Sequence, residues 1–136
     1  MIYVVIDTNV LVSAMLSHRD DAATVQVLNA VFSGKITPLY HQDILSEYAE
    51  VLSRPKFRFA LSDINTVISA FINFGVEVFP QPTGEILIDM DDLIFYEVAM
   101  EKRADDAKLV TGNQKHYPIK DFIIAPSEML KILEMQ

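Results

Sequence analysis

The chain has 136 residues, 51% of them hydrophobic and 22% charged, which excludes disorder and predicts one domain over residues 1–136. It contains no Cys, which rules out a disulfide scaffold, a thiolate metal site and a Cys nucleophile. Eleven Lys and Arg against 19 Asp and Glu give a net charge of −8, so non-specific nucleic-acid binding requires segregated charge or divalent cations.

From size scaling, roughly 22,000 Å2 of unfolded surface should collapse to about 7,000 Å2. No apolar run approaches the ~20 residues of a membrane span. The opening stretch from Met1 to Asp7 lacks the basic segment of a signal peptide. The expected compartment is therefore the cytoplasm.

In chain order, Ile2 to Ile6 is a β-branched run ending at Asp7 and reads as a buried strand. Val10, Leu11, Ala14 and Met15 follow at helical spacing. A second helix is predicted from about Asp20 to Phe32, with acids in its first turn and Gly34 past its end. Ile36 to Tyr40 is the next strand, and His41 to Ser53 a helix stopped by Pro55. Ser62 is the expected N-cap of a helix through Phe74, with Gly75 as its C′ residue. Val76 to Phe79 reads as a strand closed by Pro80, and the stretch from Gln81 to Gly84 as loop. Asp89 to Arg103 is predicted as a helix with acids at its start and Lys102 and Arg103 at its end. Lys108 to Thr111 is a strand, followed by a polar loop through Pro118. Phe122 to Ala125 is the last strand, and Pro126 and Ser127 open a terminal helix.

Alternating strands and helices imply right-handed crossovers and an α/β fold with a mostly parallel sheet covered on both faces. Ligands bind such sheets beyond the carboxyl ends of the strands. Asp7 follows the first strand and Asn113 the fourth, and Asp92 lies in the first turn of a helix, so all three fall at that end. Glu47 sits about one and a half turns into its helix, with its side chain able to point back toward the same rim. Each residue alone has an ordinary reading: Asp7 as a cap, Glu47 as a solvated acid, Asn113 as a turn residue, His116 as a loop residue. Asp89, Asp91 and Asp92 within four positions repel one another and need either a cation or separate directions. Two or three carboxylates and an amide form an all-oxygen set suited to Mg2+ or Mn2+.

Four blocks in order then carry a resemblance: the stretch from Val5 to Ala14; Ile44 to Leu52 with Arg54, Pro55, Lys56 and Phe57; Asp89 to Asp92 with Ala99; and Leu109 to Pro118. Together they resemble the PIN-domain family, and within it the VapC-like toxins of bacterial and archaeal toxin–antitoxin systems. The resemblance implies a three-layer fold, with a five-stranded parallel sheet flanked by helices and an acidic pocket at one end. It also implies a Mg2+- or Mn2+-dependent endoribonuclease in which metal-activated water hydrolyses RNA. Asp7, Glu47 and Asp92 match the family's acids and are the expected metal ligands. Asn113 is the fourth catalytic position, and Thr8, Asn9, Asp91 and Thr111 are expected to support the ligands. Asn113 stands where many relatives carry Asp, and His116 where many toxins carry an acid, which weakens the fourth ligand. A cognate antitoxin and a homodimer are the implied partners.

Arg54, Lys56 and Arg58, and Lys115 and His116, are candidate RNA contacts, with ordinary surface charge as the other reading. Phe57 and Phe59 alternate with the first group and read as core or dimer-interface residues, with base stacking as the alternative. The alternative function is a PIN-like domain that binds RNA or protein without cutting. A receiver domain fits poorly, because the first strand ends in a single acid. No G-x-G-x-x-G follows any strand, so dinucleotide binding is poorer still.

Overall fold

A computed structural model describes residues 1–136. The chain runs β1 (Tyr3–Ile6), α1 (Thr8–Leu16), α2 (Ala23–Phe32), β2 (Thr37–Tyr40), α3 (Gln42–Leu52), α4 (Leu61–Phe74), β3 (Val76–Glu77), α5 (Leu93–Glu101), β4 (Lys108–Val110), β5 (Ile123–Ile124) and α6 (Pro126–Glu134). The five strands form one sheet in the order β3-β2-β1-β4-β5, and every pair is parallel. Six helices flank it, as the α/β reading requires. Accessible surface is 7548 Å2, near the size-scaling expectation, and 33 buried side chains form a single hydrophobic cluster.

β1 takes the central place because Val4, Val5 and Ile6 are apolar in succession and fully buried, the pattern of a strand covered on both faces. The chain first winds outward from β1 to β2 and β3. It then returns across the sheet through α5 to reach β4 on the other side of β1. α5 packs on β1, β4 and β2, whereas α2 packs against α1, α4 and α6. Right-handed crossovers in opposite directions put these two groups on opposite faces of the sheet. The winding direction reverses between β1 and β4, and a crevice opens there at the strands' carboxyl ends. Ile6 lies beside Val110, and the Asp7 N–H continues the ladder to the Val110 carbonyl at 3.0 Å. Asp7 and Thr111 therefore leave the sheet side by side.

Several ends differ from the sequence reading. α2 begins at Ala23, because the Asp21 carboxylate is taken by Arg19 at 3.1 Å and stays outside the helix. α4 is entered from Ala60 with no side-chain cap, so Ser62 is inside the first turn and caps nothing. Gly75 is extended, at φ −100°, and is not a left-handed C′ residue. Its role is close approach: a Cβ there would collide with the carbonyl oxygens of Phe71 and Pro38. β3 is only two residues long, although the Val78 N–H still reaches the Tyr40 carbonyl at 2.7 Å. The acidic block forms a 3-10 turn, Met90–Asp92, before α5, and Lys102 and Arg103 fall beyond the helix end.

Candidate active site

Asp7 is 4% exposed at the carboxyl end of β1. Its Oδ2 accepts three hydrogen bonds, from the Thr111 hydroxyl at 2.8 Å, the Tyr117 hydroxyl at 3.0 Å and the Asn9 amide at 3.2 Å. Thr111 is itself oriented by the Asn113 N–H at 3.0 Å, and Asn9 by the Gly112 N–H at 3.1 Å. One carboxylate oxygen is thus fixed by donors from both sides of the β1–β4 crevice. Burial raises the Asp7 pKa above 3.8; hydrogen bonds from Thr111, Tyr117 and the backbone of Thr8 and Asn9 oppose the rise.

Glu47 projects from α3 and accepts the Thr8 hydroxyl at 2.9 Å on Oε2. Burial raises its pKa first, and the charges of Glu50, Asp91 and Asp7 add to that effect. α3 is held against the strand by Tyr48, fully buried on the same helix, whose hydroxyl donates to the Ile6 carbonyl.

Asp92 is the most perturbed acid. Its pKa is pushed up to about 6 by burial and then by the charges of Asp7 and Asp89, and the neighbouring His116 pulls it back. Its Oδ2 is buried and receives no hydrogen bond. The His116 Nδ1 stands 3.3 Å from that oxygen, without the alignment of a hydrogen bond. The Asn113 amide nitrogen lies 3.0 Å from the other ring nitrogen, Nε2, and donates to it, which leaves Nδ1 as the protonated atom facing Asp92.

Asp7, Thr8, Asn9, Glu47, Asp92, Asn113 and His116 line one open cleft of about 700 Å3, and Asp89 joins them. Asp89 also caps the acidic turn, accepting the Asp91 N–H at 3.0 Å. Asp91 is not brought into the cleft. It is exposed and borders a separate depression with Glu47 and Glu50, because the 3-10 turn directs it away from Asp92. Asn113 is not a left-handed turn residue, at φ −137° and ψ 63°. Arg54 pairs with Glu50 at 3.3 Å, while Lys56, Arg58 and Lys115 are exposed. A larger cavity of about 860 Å3 lies at the opposite end of the fold, around Met1, Lys35 and Gln136, and holds none of these acids.

Two features escaped the sequence reading. Tyr117, 6% exposed, falls in what reads as polar loop. A Tyr beside a polar turn is a signal in itself, since a buried phenol needs a partner for its hydroxyl. The contact between His116 and Asp92 joins residues 24 positions apart and has no local signature.

A family model of the PIN domain matches residues 3–115. The chain belongs to the PIN-domain family. The PIN domain is 30% identical over 123 residues to an uncharacterized protein of Methanocaldococcus jannaschii, across 88% of this chain and 76% of that protein. Among solved structures it is similar to VapBC2 from Rickettsia felis bound to a DNA fragment from their promoter. That likeness has a TM-score of 0.49 and 21% identity, over 84% of this chain and 90% of that one. PIN domains are generally nucleases and typically use divalent metals. No helix of this one is long and apolar enough to cross a membrane.

No three acidic or histidine side chains converge on a single point as in a closed metal site. The donor set still fits a hard divalent ion. Mg2+ usually keeps several waters and takes only one or two carboxylates from its protein. The buried Asp92 Oδ2, with no aligned hydrogen bond, beside the partly compensated Asp7 is an arrangement that a cation would relieve.

Proposed function

We propose that this PIN domain is a Mg2+- or Mn2+-dependent endoribonuclease that hydrolyses phosphodiester bonds with water. The observation that supports it most is the Asp92 carboxylate: one oxygen buried with no aligned hydrogen bond and only the His116 Nδ1 near it at 3.3 Å, facing a cleft already lined by Asp7, Glu47 and Asp89. Leaving a buried polar atom unpaired costs about 1–3 kcal/mol, and more when it is charged. A fold that keeps such a group at the mouth of an acidic cleft is arranged for a positive ligand.

Asp7 and Asp92 would hold the ion, with Glu47 completing or flanking the set. The bound metal would supply Lewis-acid stabilisation of the phosphate and a lowered pKa for water. The chain's own groups supply orientation. Thr111, Tyr117 and Asn9 lock one Asp7 oxygen. Thr8 fixes one Glu47 oxygen and leaves the other to accept a proton from the attacking water. Asn113 sets the tautomer of His116, which in turn faces Asp92.

RNA as the substrate, a VapC-like role with a cognate antitoxin, and a homodimer follow from the sequence resemblance. The non-catalytic reading draws on the neutral Asn113 and the lack of three converging ligands. Incubation of generic single-stranded RNA with wild type and Asp92→Asn in Mg2+, Mn2+ or chelator separates the two. We expect cleavage by wild type in either metal only, and at least a hundredfold less by Asp92→Asn. Wild type that binds RNA but leaves it intact in both metals is the non-catalytic domain.

A further inference from the structure

We infer that Phe57 is a stacking platform for a base of single-stranded RNA beside the acidic cleft. The inference rests on the ribonuclease reading for its substrate class and on a separate part of the structure for its geometry. Phe57 belongs to the 3-10 turn Pro55–Phe57 that follows α3, and it lines the same cleft as Asp7 and Glu47. Its ring is stacked on Phe59, with centroids 5.5 Å apart and planes 16° from parallel.

The two rings have different duties. Phe59 packs against the hydrophobic core, whereas Phe57 does not belong to that packing. Residues two apart on an extended chain share one face, with backbones about 7 Å apart. Here Arg58 between them adopts φ 57° and ψ 30°, in the left-handed region that a residue with a side chain rarely enters. With that turn between them, the two rings are in stacking contact. Phe59 is the anchor, and Phe57 is the face offered to the cleft.

The charges around the ring specify the occupant. Arg54, Lys56 and Arg58 alternate along this turn, on a chain that carries only 11 cations against 19 acids. Lys56 Nζ lies 5.1 Å from the Phe57 ring centroid, on an exposed side chain that a base can displace toward its own phosphate. An aromatic face flanked by mobile cations is what unpaired nucleotides recognise: bases stack and phosphates pair. A duplex keeps its bases stacked on one another and cannot present one to the ring. The metal-binding acids would then lie next to a subsite that selects for unpaired strands.

The test is stopped-flow mixing with single-stranded RNA carrying 2-aminopurine, read before turnover, and with a duplex of the same sequence. Wild type should quench the probe. Phe57→Leu should lose the quench and bind the single strand about tenfold more weakly, and Phe57→Trp should retain both. Duplex binding should be the same in all three proteins. Phe57→Leu that melts like wild type and quenches like wild type overturns the platform. Wild type that quenches without cutting removes the ribonuclease reading and leaves the platform standing. Wild type that cuts without quenching removes the platform alone, and wild type that does neither removes both.

Discussion

At the scale of single residues, the site is defined by unequal treatment of three carboxylates. Asp7 is buried and compensated by donors, Glu47 is held by one hydroxyl, and Asp92 keeps a buried oxygen with only the His116 ring near it at 3.3 Å. Asp92 should therefore make stability depend on pH. Its folded pKa is about 6 against an ordinary 3.8, so the folded protein holds the proton more tightly than the unfolded chain. The sign is a loss: in chelator, stability falls as pH rises from about 4 to about 6, and the full penalty above that range is about 3 kcal/mol, reduced to on the order of 2 by solvent screening of a half-buried carboxylate. Melting temperature against pH should show a smaller decline in Asp92→Asn than in wild type, since Asp7 and Glu47 are also raised and remain. Parallel curves for the two proteins would mean that Asp92 is solvated.

Tyr117 makes the complementary case. Its hydroxyl faces a carboxylate, and hydrogen bonds to charged groups contribute about 1.5–3 kcal/mol. Tyr117→Phe should cost about 2 kcal/mol at pH 7 in chelator, and less at pH 4, where Asp7 is partly protonated. Urea unfolding at both pH values measures it. An equal loss at the two would show that the hydroxyl does not serve the charge. Burial and the adjacent Asp7 raise the Tyr117 pKa, so the phenol stays a donor throughout this range.

At the scale of elements, the sequence was legible where one rule governed. Alternating apolar runs placed all five strands and six helices, and β–α order alone put Asp7, Asp92 and Asn113 at one end of the sheet. It was not legible where tertiary contact decided. Gly75 fits a helix stop by local chemistry, yet its backbone is extended. The absence of a side chain serves the approach of α4's last turn to β2, where the Phe71 and Pro38 carbonyls leave no room. Gly75→Ala should cost about 1–3 kcal/mol in urea unfolding, since backbone must shift to admit the methyl group. No change would mean that β3 can move away freely. The exposure of Asp91 was hidden for a similar reason. Helical spacing alone cannot show that a 3-10 turn precedes α5 and sends neighbouring acids into different depressions.

At the scale of the whole molecule, the RNA substrate proposed above would have to meet a chain of net charge −8 at a local exception to its own field. Arg54, Lys56 and Arg58, exposed on the turn that carries Phe57 into the cleft lining, are the candidates for that exception. If all three meet phosphates, log affinity for single-stranded RNA should fall with log salt at a slope of about −2, and Arg58→Ala should reduce the slope by about 0.7. Fluorescence anisotropy across a KCl series measures both. A slope near zero would leave these residues as ordinary surface charge.

The central position of β1 has a consequence for synthesis. The hydroxyls that fix Asp7 are made 104 and 110 positions after it, on Thr111 and Tyr117. The sheet itself cannot close around β1 before β4 is available at Lys108–Val110. A ribosome stalled before that point carries a chain with its acids unassembled and its middle strand open on one side. The acidic cleft is therefore assembled only once β4 and the segment after it have been made, and a chain that stops short of them has an incomplete sheet.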